Sequence, residues 1–143
     1  KKQALQIMRE IGIEELADME CSALSGGQFR MVMIARALVS DPDILVMDEA
    51  ETHLDIRRQR DLLKLIKKLT KERGIICLFN THYPEHALKY ADQVLFLGKK
   101  RYLYGKTREM MTEENLREFW DVKACLIDLK VFGYQEKMIY ITD

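Results

Sequence analysis

The run Ile44-Leu45-Val46-Met47 ends abruptly in two acids, Asp48 and Glu49, and no other stretch of the 143 residues constrains the fold as tightly. Four consecutive apolar residues suit a strand buried on both faces of a parallel sheet, where neither row of side chains meets water. In such sheets ligands sit at the carboxyl ends of the strands. Asp55 is placed to cap a helix from Ile56 to Arg73, with Leu62, Leu63, Ile66 and Leu69 on its core face and Gly74 to close it. A second buried strand, Ile75 to Phe79, follows at once. Pro84 suits the first turn of a short helix through Tyr90. Gln93 to Leu97 and Arg101 to Tyr104 read as strands joined around Gly98-Lys99-Lys100. This alternation of strand and helix predicts an α/β layer.

On the amino-terminal side, Ala4, Leu5, Met8 and Ile11 share one helical face that Gly12 is placed to end, and Ile13 to Ala17 predicts a further short turn. From Gly27 to Val39 the apolar residues Met31, Val32, Ile34, Ala35 and Leu38 run nearly all the way round, as in a helix buried on most sides, and Ser40-Asp41-Pro42 stops it. Beyond Thr107 the pattern predicts a helix over Glu113 to Trp120. A hairpin follows, with Val122 to Lys130 against Lys137 to Thr142 and a turn near Gly133. The chain starts on Lys1 directly in helical periodicity, which implies that it begins inside a domain.

Composition narrows the field. The 23 basic and 23 acidic side chains cancel, so no global field draws the chain to nucleic acid or anionic lipid. Cys21, Cys77 and Cys125 are odd in number and widely spaced, which fits a reducing compartment better than a disulfide framework or a zinc site. The longest strongly apolar stretch, Ile75 to Phe79, is far too short to span a bilayer, so any membrane role is expected to be peripheral.

Ser25-Gly26-Gly27 opens the apolar helix. A helix start offers unpaired N–H groups and positive dipole to an anion, and glycines let a phosphate approach the backbone. Alone, such a triplet reads as a Ser cap with a Gly turn more readily than as a phosphate site; its flanks reverse this. The run LSGGQFRMVMIARALVSDPDILVMDE, from Leu24 to Glu49, resembles the signature motif, its helix and the Walker B strand of ATP-binding cassette (ABC) proteins, in their order and spacing. The resemblance implies a partial P-loop NTPase (RecA-like) ABC ATPase domain. Residues 1–40 would be the end of the helical subdomain, 41–106 part of the RecA-like core and 107–143 a C-terminal helix and β-hairpin extension.

By the same resemblance, Asp48 corresponds to the acid that holds magnesium through water and Glu49 to the general base that orients the attacking water. Ser25, Gly26, Gly27 and Gln28 correspond to the segment that meets the γ-phosphate of ATP held by a partner domain. Ala50 to Asp55 occupy the place of the D-loop, so that Asp55 is both helix cap and contact across the dimer. The family commonly has Pro-Thr after the catalytic Glu, where this chain has Ala50-Glu51. Asn80-Thr81-His82 matches the H-loop, whose histidine contacts the γ-phosphate and the water. Phosphoryl transfer needs positioning and charge neutralisation more than covalent chemistry, which suits this set of groups.

Three other patterns carry less. His82-Tyr83-Pro84-Glu85-His86 spells the order of an inverted zincin, but Pro84 belongs in the first turn of a helix, leaving His82 before it and the two histidines on no common helical face. Gly105-Lys106-Thr107 imitates the end of a Walker A loop, yet the required upstream glycine position is Lys100. Arg57, Arg58, Arg60, Lys64, Lys67, Lys68 and Lys71 make the long helix basic on its polar side without interleaved aromatics, as in a solvated helix face rather than a nucleic-acid surface.

The resemblance thus covers nearly the whole chain but only the later part of a nucleotide-binding domain. The implied cofactors are ATP and Mg2+. The implied partners are a second ABC ATPase domain arranged head to tail, transmembrane permease subunits and a substrate-binding protein, with no nucleic acid. The implied place is the cytoplasmic face of the membrane. The stretch around Thr52 to Ile56, the run His82 to Leu88 and the tail from Glu113 to Val122 look most like ATPases of importers for iron complexes, haem or cobalamin. Two other readings are a chromosome-maintenance or repair ATPase of the same superfamily, against which stands the absence of heptads, and a non-catalytic partner-binding fragment. Without a Walker A loop, the isolated chain is expected neither to bind ATP tightly nor to hydrolyse it. Losing the Walker A strand should also leave sheet edge and apolar surface uncovered.

Overall fold

A computed structural model describes residues 1–52, 54–133 and 137–142, and within it the chain divides into two compact units, Lys1–Thr81 and His82–Asp143. His53 and the stretch 134–136, where part of the sequence-based turn falls, lie outside the described residues.

In the first unit, α1 (Lys2–Glu10) packs against α2 (Gly26–Val39). Gln3 Nε2 donates to the Val39 carbonyl at 2.8 Å, tying the start of one helix to the end of the other. Ile7 is buried in α1, a position absent from the predicted face, together with Ile11 beyond its end. Gly12 takes the left-handed φ of +75° that lets the chain turn into a 3-10 helix at Glu14–Leu16. Beside it, the Arg9 guanidinium holds the Glu14 carboxyl below its usual range. Helix α2 is less enclosed than its composition predicts. Ile34, Ala35 and Leu38 are buried, but Met31, Val32 and Met33 are half-buried and Phe29 is exposed, because α1 covers one side only.

Strands β1 (Ile44–Asp48) and β2 (Ile76–Asn80) pair in parallel, in register from Ile44↔Ile76 to Asp48↔Asn80. Between them runs α3 (Ile56–Arg73), with the bounds the periodicity predicts. Asp55 caps it by accepting the Arg58 N–H at 2.9 Å, and Gly74 ends it at φ +69°. Leu62, Leu63, Ile66 and Leu69 are buried; for side chains of this kind full burial is worth about 1.5–3 kcal/mol each. The basic residues Arg57, Arg58, Arg60, Lys64, Lys67, Lys68 and Lys71 of α3 are exposed, with Arg57 near Asp61 and Lys68 near Glu72, while Arg73 reaches Glu10 of α1.

The expectation that both strands are buried on both faces is corrected. Leu45 and Met47 are buried, but Ile44, Val46, Ile76 and Leu78 are 58–67% exposed. Successive side chains of a strand point to opposite faces, and α3 covers one of them. Each apolar run has residues for two covered faces, and this unit supplies one. Cys77 lies on the covered side, where burial pushes its thiol up to about 11 and keeps it protonated at neutral pH. All three cysteines are free thiols.

In the second unit, α4 (Pro84–Tyr90) begins at its proline as predicted. Strands β3 (Gln93–Leu97) and β4 (Tyr102–Lys106) form an antiparallel pair separate from β1–β2, so the strand–helix alternation does not extend the parallel layer. A four-residue α5 (Thr107–Met110) precedes α6 (Glu113–Trp120), which Thr112 caps by accepting the Asn115 N–H at 3.1 Å. The hairpin of β5 (Lys123–Asp128) and β6 (Lys137–Thr142) follows, with Gly133 at φ +82°. Phe96, Met111, Leu116 and Ala124 make a core of their own, flanked by Leu88, Val94, Phe119 and Trp120. Gly105 lies in β4, where a Cβ would stand 2.9 Å from Met110 Cγ, so it serves packing and not a phosphate loop. Among the described residues no helix is long and apolar enough to cross a membrane.

Candidate functional site

The carboxyl end of β1 concentrates the chemistry of the first unit. Asp48 is the last strand residue and is exposed, with one carboxylate oxygen accepting from Asn80 Nδ2 at 2.7 Å. The parallel register makes Asn80 its neighbour. Glu49 leaves the strand in the left-handed region, at φ +44°, a conformation in which a side-chained residue is strained. Three contacts hold it there. Its N–H donates to the Asn80 carbonyl at 3.0 Å, and its own carbonyl accepts from Arg30 Nη1 at 2.8 Å and from the Thr52 N–H at 3.0 Å. Asp48 and Glu49 therefore differ in backbone conformation as well as in strand parity.

Arg30 comes from α2. It joins the helix that follows Ser25-Gly26-Gly27 to the residue that follows Asp48. Sequence reasoning passed over it as one polar residue of an apolar helix, and only the fold brings it 19 positions along the chain to a carbonyl.

At the start of α2, Ser25 and Gln28 form a reciprocal capping box: Gln28 N–H donates to Ser25 Oγ at 3.3 Å and Ser25 N–H to Gln28 Oε1 at 2.9 Å. The two glycines differ in their surroundings. A Cβ built on Gly26 meets nothing within 4 Å, so this position leaves open room beside the helix start. A Cβ on Gly27 would lie 2.8 Å from Arg58 Nη1 and 3.0 Å from Leu54 Cδ2. Gly27 therefore also serves close packing, against Leu54 and the first turn of α3.

Asp55 is exposed and accepts from Arg58, its own helix's third residue, besides pairing with that guanidinium at 3.4 Å. Glu51, absent from the predicted site, is completely buried, and Thr81 Oγ1 donates to it across 30 residues of sequence. His82 opens the second unit and is exposed, one residue before Tyr83, whose ring lies 5.0 Å from that of His86. It precedes α4 while His86 lies within it, so the two histidines do not share a helix face.

Residues 1–52 match the sequence profile of the family described as ABC transporter. The chain is 34% identical to the molybdate import ATP-binding protein MolC of Haemophilus influenzae, covering 79% of this chain and 45% of that protein. It is 34% identical to the phosphonates import ATP-binding protein PhnC of Treponema denticola, covering 82% and 46%. The chain therefore spans about half the length of the curated relatives it matches. A solved structure of a transporter described as metal-chelate type, in an inward-facing conformation, matches 99% of this chain with a TM-score of 0.89 and 26% identity, this chain covering 57% of that one. The α/β fold is accordingly that of the ABC ATPases, and the chain matches part of an ABC transporter ATPase (nucleotide-binding) domain.

Proposed function

We propose that the complete protein hydrolyses ATP to drive import across a membrane, and that this chain supplies the catalytic carboxylate and the half of the site that closes over nucleotide bound to a partner domain. The observation that carries this reading is Glu49, a strained residue pinned from both sides of its peptide planes at the end of a parallel strand. Strain of this kind persists where surrounding contacts over-determine it, and it clusters at active sites.

In this reading Glu49 orients the attacking water and accepts its proton, and His82 approaches the γ-phosphate from the loop after β2. The residues fit the implied cofactors. Mg2+ keeps most of its waters and takes one or two carboxylates, which suits a single exposed Asp48 steadied by Asn80. When bound, the ion supplies neutralisation of the phosphate oxygens. The open space at Gly26 suits a phosphate oxygen approaching the N–H groups at the start of α2. Ser25 and Gln28, locked in their capping box, keep that helix start rigid, and Asp55 faces the partner domain from the D-loop. Residues 1–40 serve as the end of the helical subdomain, 41–106 as core and 107–143 as an extension. Permease subunits, a substrate-binding protein and a position on the cytoplasmic face of the membrane go with this role.

For cargo, the relatives point in several directions, being named for molybdate and phosphonates. The match over 99% of the chain to a transporter described as metal-chelate type favours an iron complex, haem or cobalamin. Phosphate release by the complete protein with MgATP tests the catalytic reading. Sustained turnover that falls at least about 100-fold in Glu49→Gln is expected, since removing a catalytic base of this kind costs 10²–10⁴-fold. Turnover left intact by that change would remove Glu49 from the role.

A further inference from the structure

Glu51 stands where the family commonly has the Thr of a Pro-Thr pair, and the structure gives the departure a use. Its side chain is completely buried, and taking a carboxyl group out of water is costly unless hydrogen bonds compensate. Thr81 Oγ1 donates to Glu51 Oε1. The Glu51 carbonyl in turn accepts the Leu54 N–H at 3.1 Å and Gln59 Nε2 at 3.3 Å, which binds the loop to the first turns of α3.

Thr81 belongs to a set of links between the same two segments. Asn80 Nδ2 meets Asp48, the Asn80 carbonyl meets the Glu49 N–H, and Thr81 meets Glu51. Asp48, Glu49 and Glu51 are thus laced to Asn80 and Thr81 at the end of β2. Only the last link rests on a side chain the family pattern does not call for, and the residue after Thr81 in sequence is His82.

We propose that Glu51 is a positioning residue: by holding the Thr81 hydroxyl it fixes the loop that carries Glu49 to the strand end that leads into His82. The proposal rests on the catalytic reading of Glu49 and His82 given above. A positioning role affects the chemical step more than nucleotide affinity, because a misplaced base weakens the transition state while leaving ground-state contacts in place.

The test is steady-state phosphate release by the complete protein in Thr81→Val, which keeps the shape of the side chain and loses the hydroxyl, and in Thr81→Ser, which keeps the hydroxyl. Expected is a kcat lower by about 10-fold in Thr81→Val with KM for ATP within about twofold of wild type, and recovery to within about twofold in Thr81→Ser. In Glu51→Ala the loss should be at least as large, and adding Thr81→Val to it should cost less than the same change costs in wild type, since the two residues share a bond. A kcat unchanged in Thr81→Val, kcat and KM rising or falling together, or Ser no better than Val would overturn the proposal. Should wild type release no phosphate, the catalytic reading fails by itself. Amide hydrogen exchange on this chain then decides the lacing: Thr81→Val should speed exchange at Glu49, Thr52 and Leu54 by about 10-fold or more, with α6 unchanged. Equal exchange in both proteins would refute it.

Discussion

A methyl group at Gly27 would need Leu54 Cδ2, 3.0 Å away, and Arg58 Nη1, 2.8 Å away, to give ground. The guanidinium can swing, being the end of a flexible and half-exposed side chain, but Leu54 is buried and cannot move freely. Overpacking of this sort costs about 1–3 kcal/mol, more than the 0.5–1 kcal/mol that Ala gains over Gly inside a helix. Gly26 has open space around it. Urea unfolding of the chain should therefore find Gly27→Ala less stable than wild type by about 1 kcal/mol or more, and Gly26→Ala equal or slightly more stable; the reverse order would show that Gly27 is not the closely packed position. The adjacent glycines are indistinguishable in the sequence, since what separates them is a loop 27 residues on. Ser25, Asp48, Glu49, Asp55 and His82 are residues that their neighbours in sequence single out, and their roles stand as proposals. The contacts of Arg30, Asn80 and Glu51 could not be read there: Asn80 and Glu51 meet their partners where β1 pairs with β2, and Arg30 reaches Glu49 from α2.

Helices α3, α4 and α6 have the bounds that the sequence predicts, because each carries its own punctuation: Asp55 and Gly74, Pro84, and Thr112 before Glu113. The short α5 escaped, as four residues give no period to read. The strands were placed to within two residues or so, but their second faces were not, since an apolar run states an appetite for burial and not what satisfies it. The capping of α3 separates two functions of one residue. Asp55→Ala should cost about 1 kcal/mol, a fall of roughly 4–8 °C in the melting temperature of a unit this size, whereas Asp55→Asn, an equally good cap, should leave it unchanged. Calorimetry that finds Asn as damaging as Ala would assign the loss to charge and not to the cap.

At the scale of the whole molecule, the two units draw on separate cores, and the chain spans about half of relatives such as MolC and PhnC. The open face of β1–β2 and the lack of a Walker A pattern in these residues agree with the proposal made above, in which Glu49 and His82 act on nucleotide that a different loop holds. The Leu24 to Gln28 segment then matters when a second domain approaches. Sedimentation of the complete protein with ATP and magnesium measures this directly. Glu49→Gln, which binds without turnover, should sediment as a dimer, and Glu49→Gln carrying Ser25→Arg, with a bulky side chain at the closing helix start, should sediment as a monomer. Equal dimerisation of the two would contradict the assignment of this segment to the partner's nucleotide.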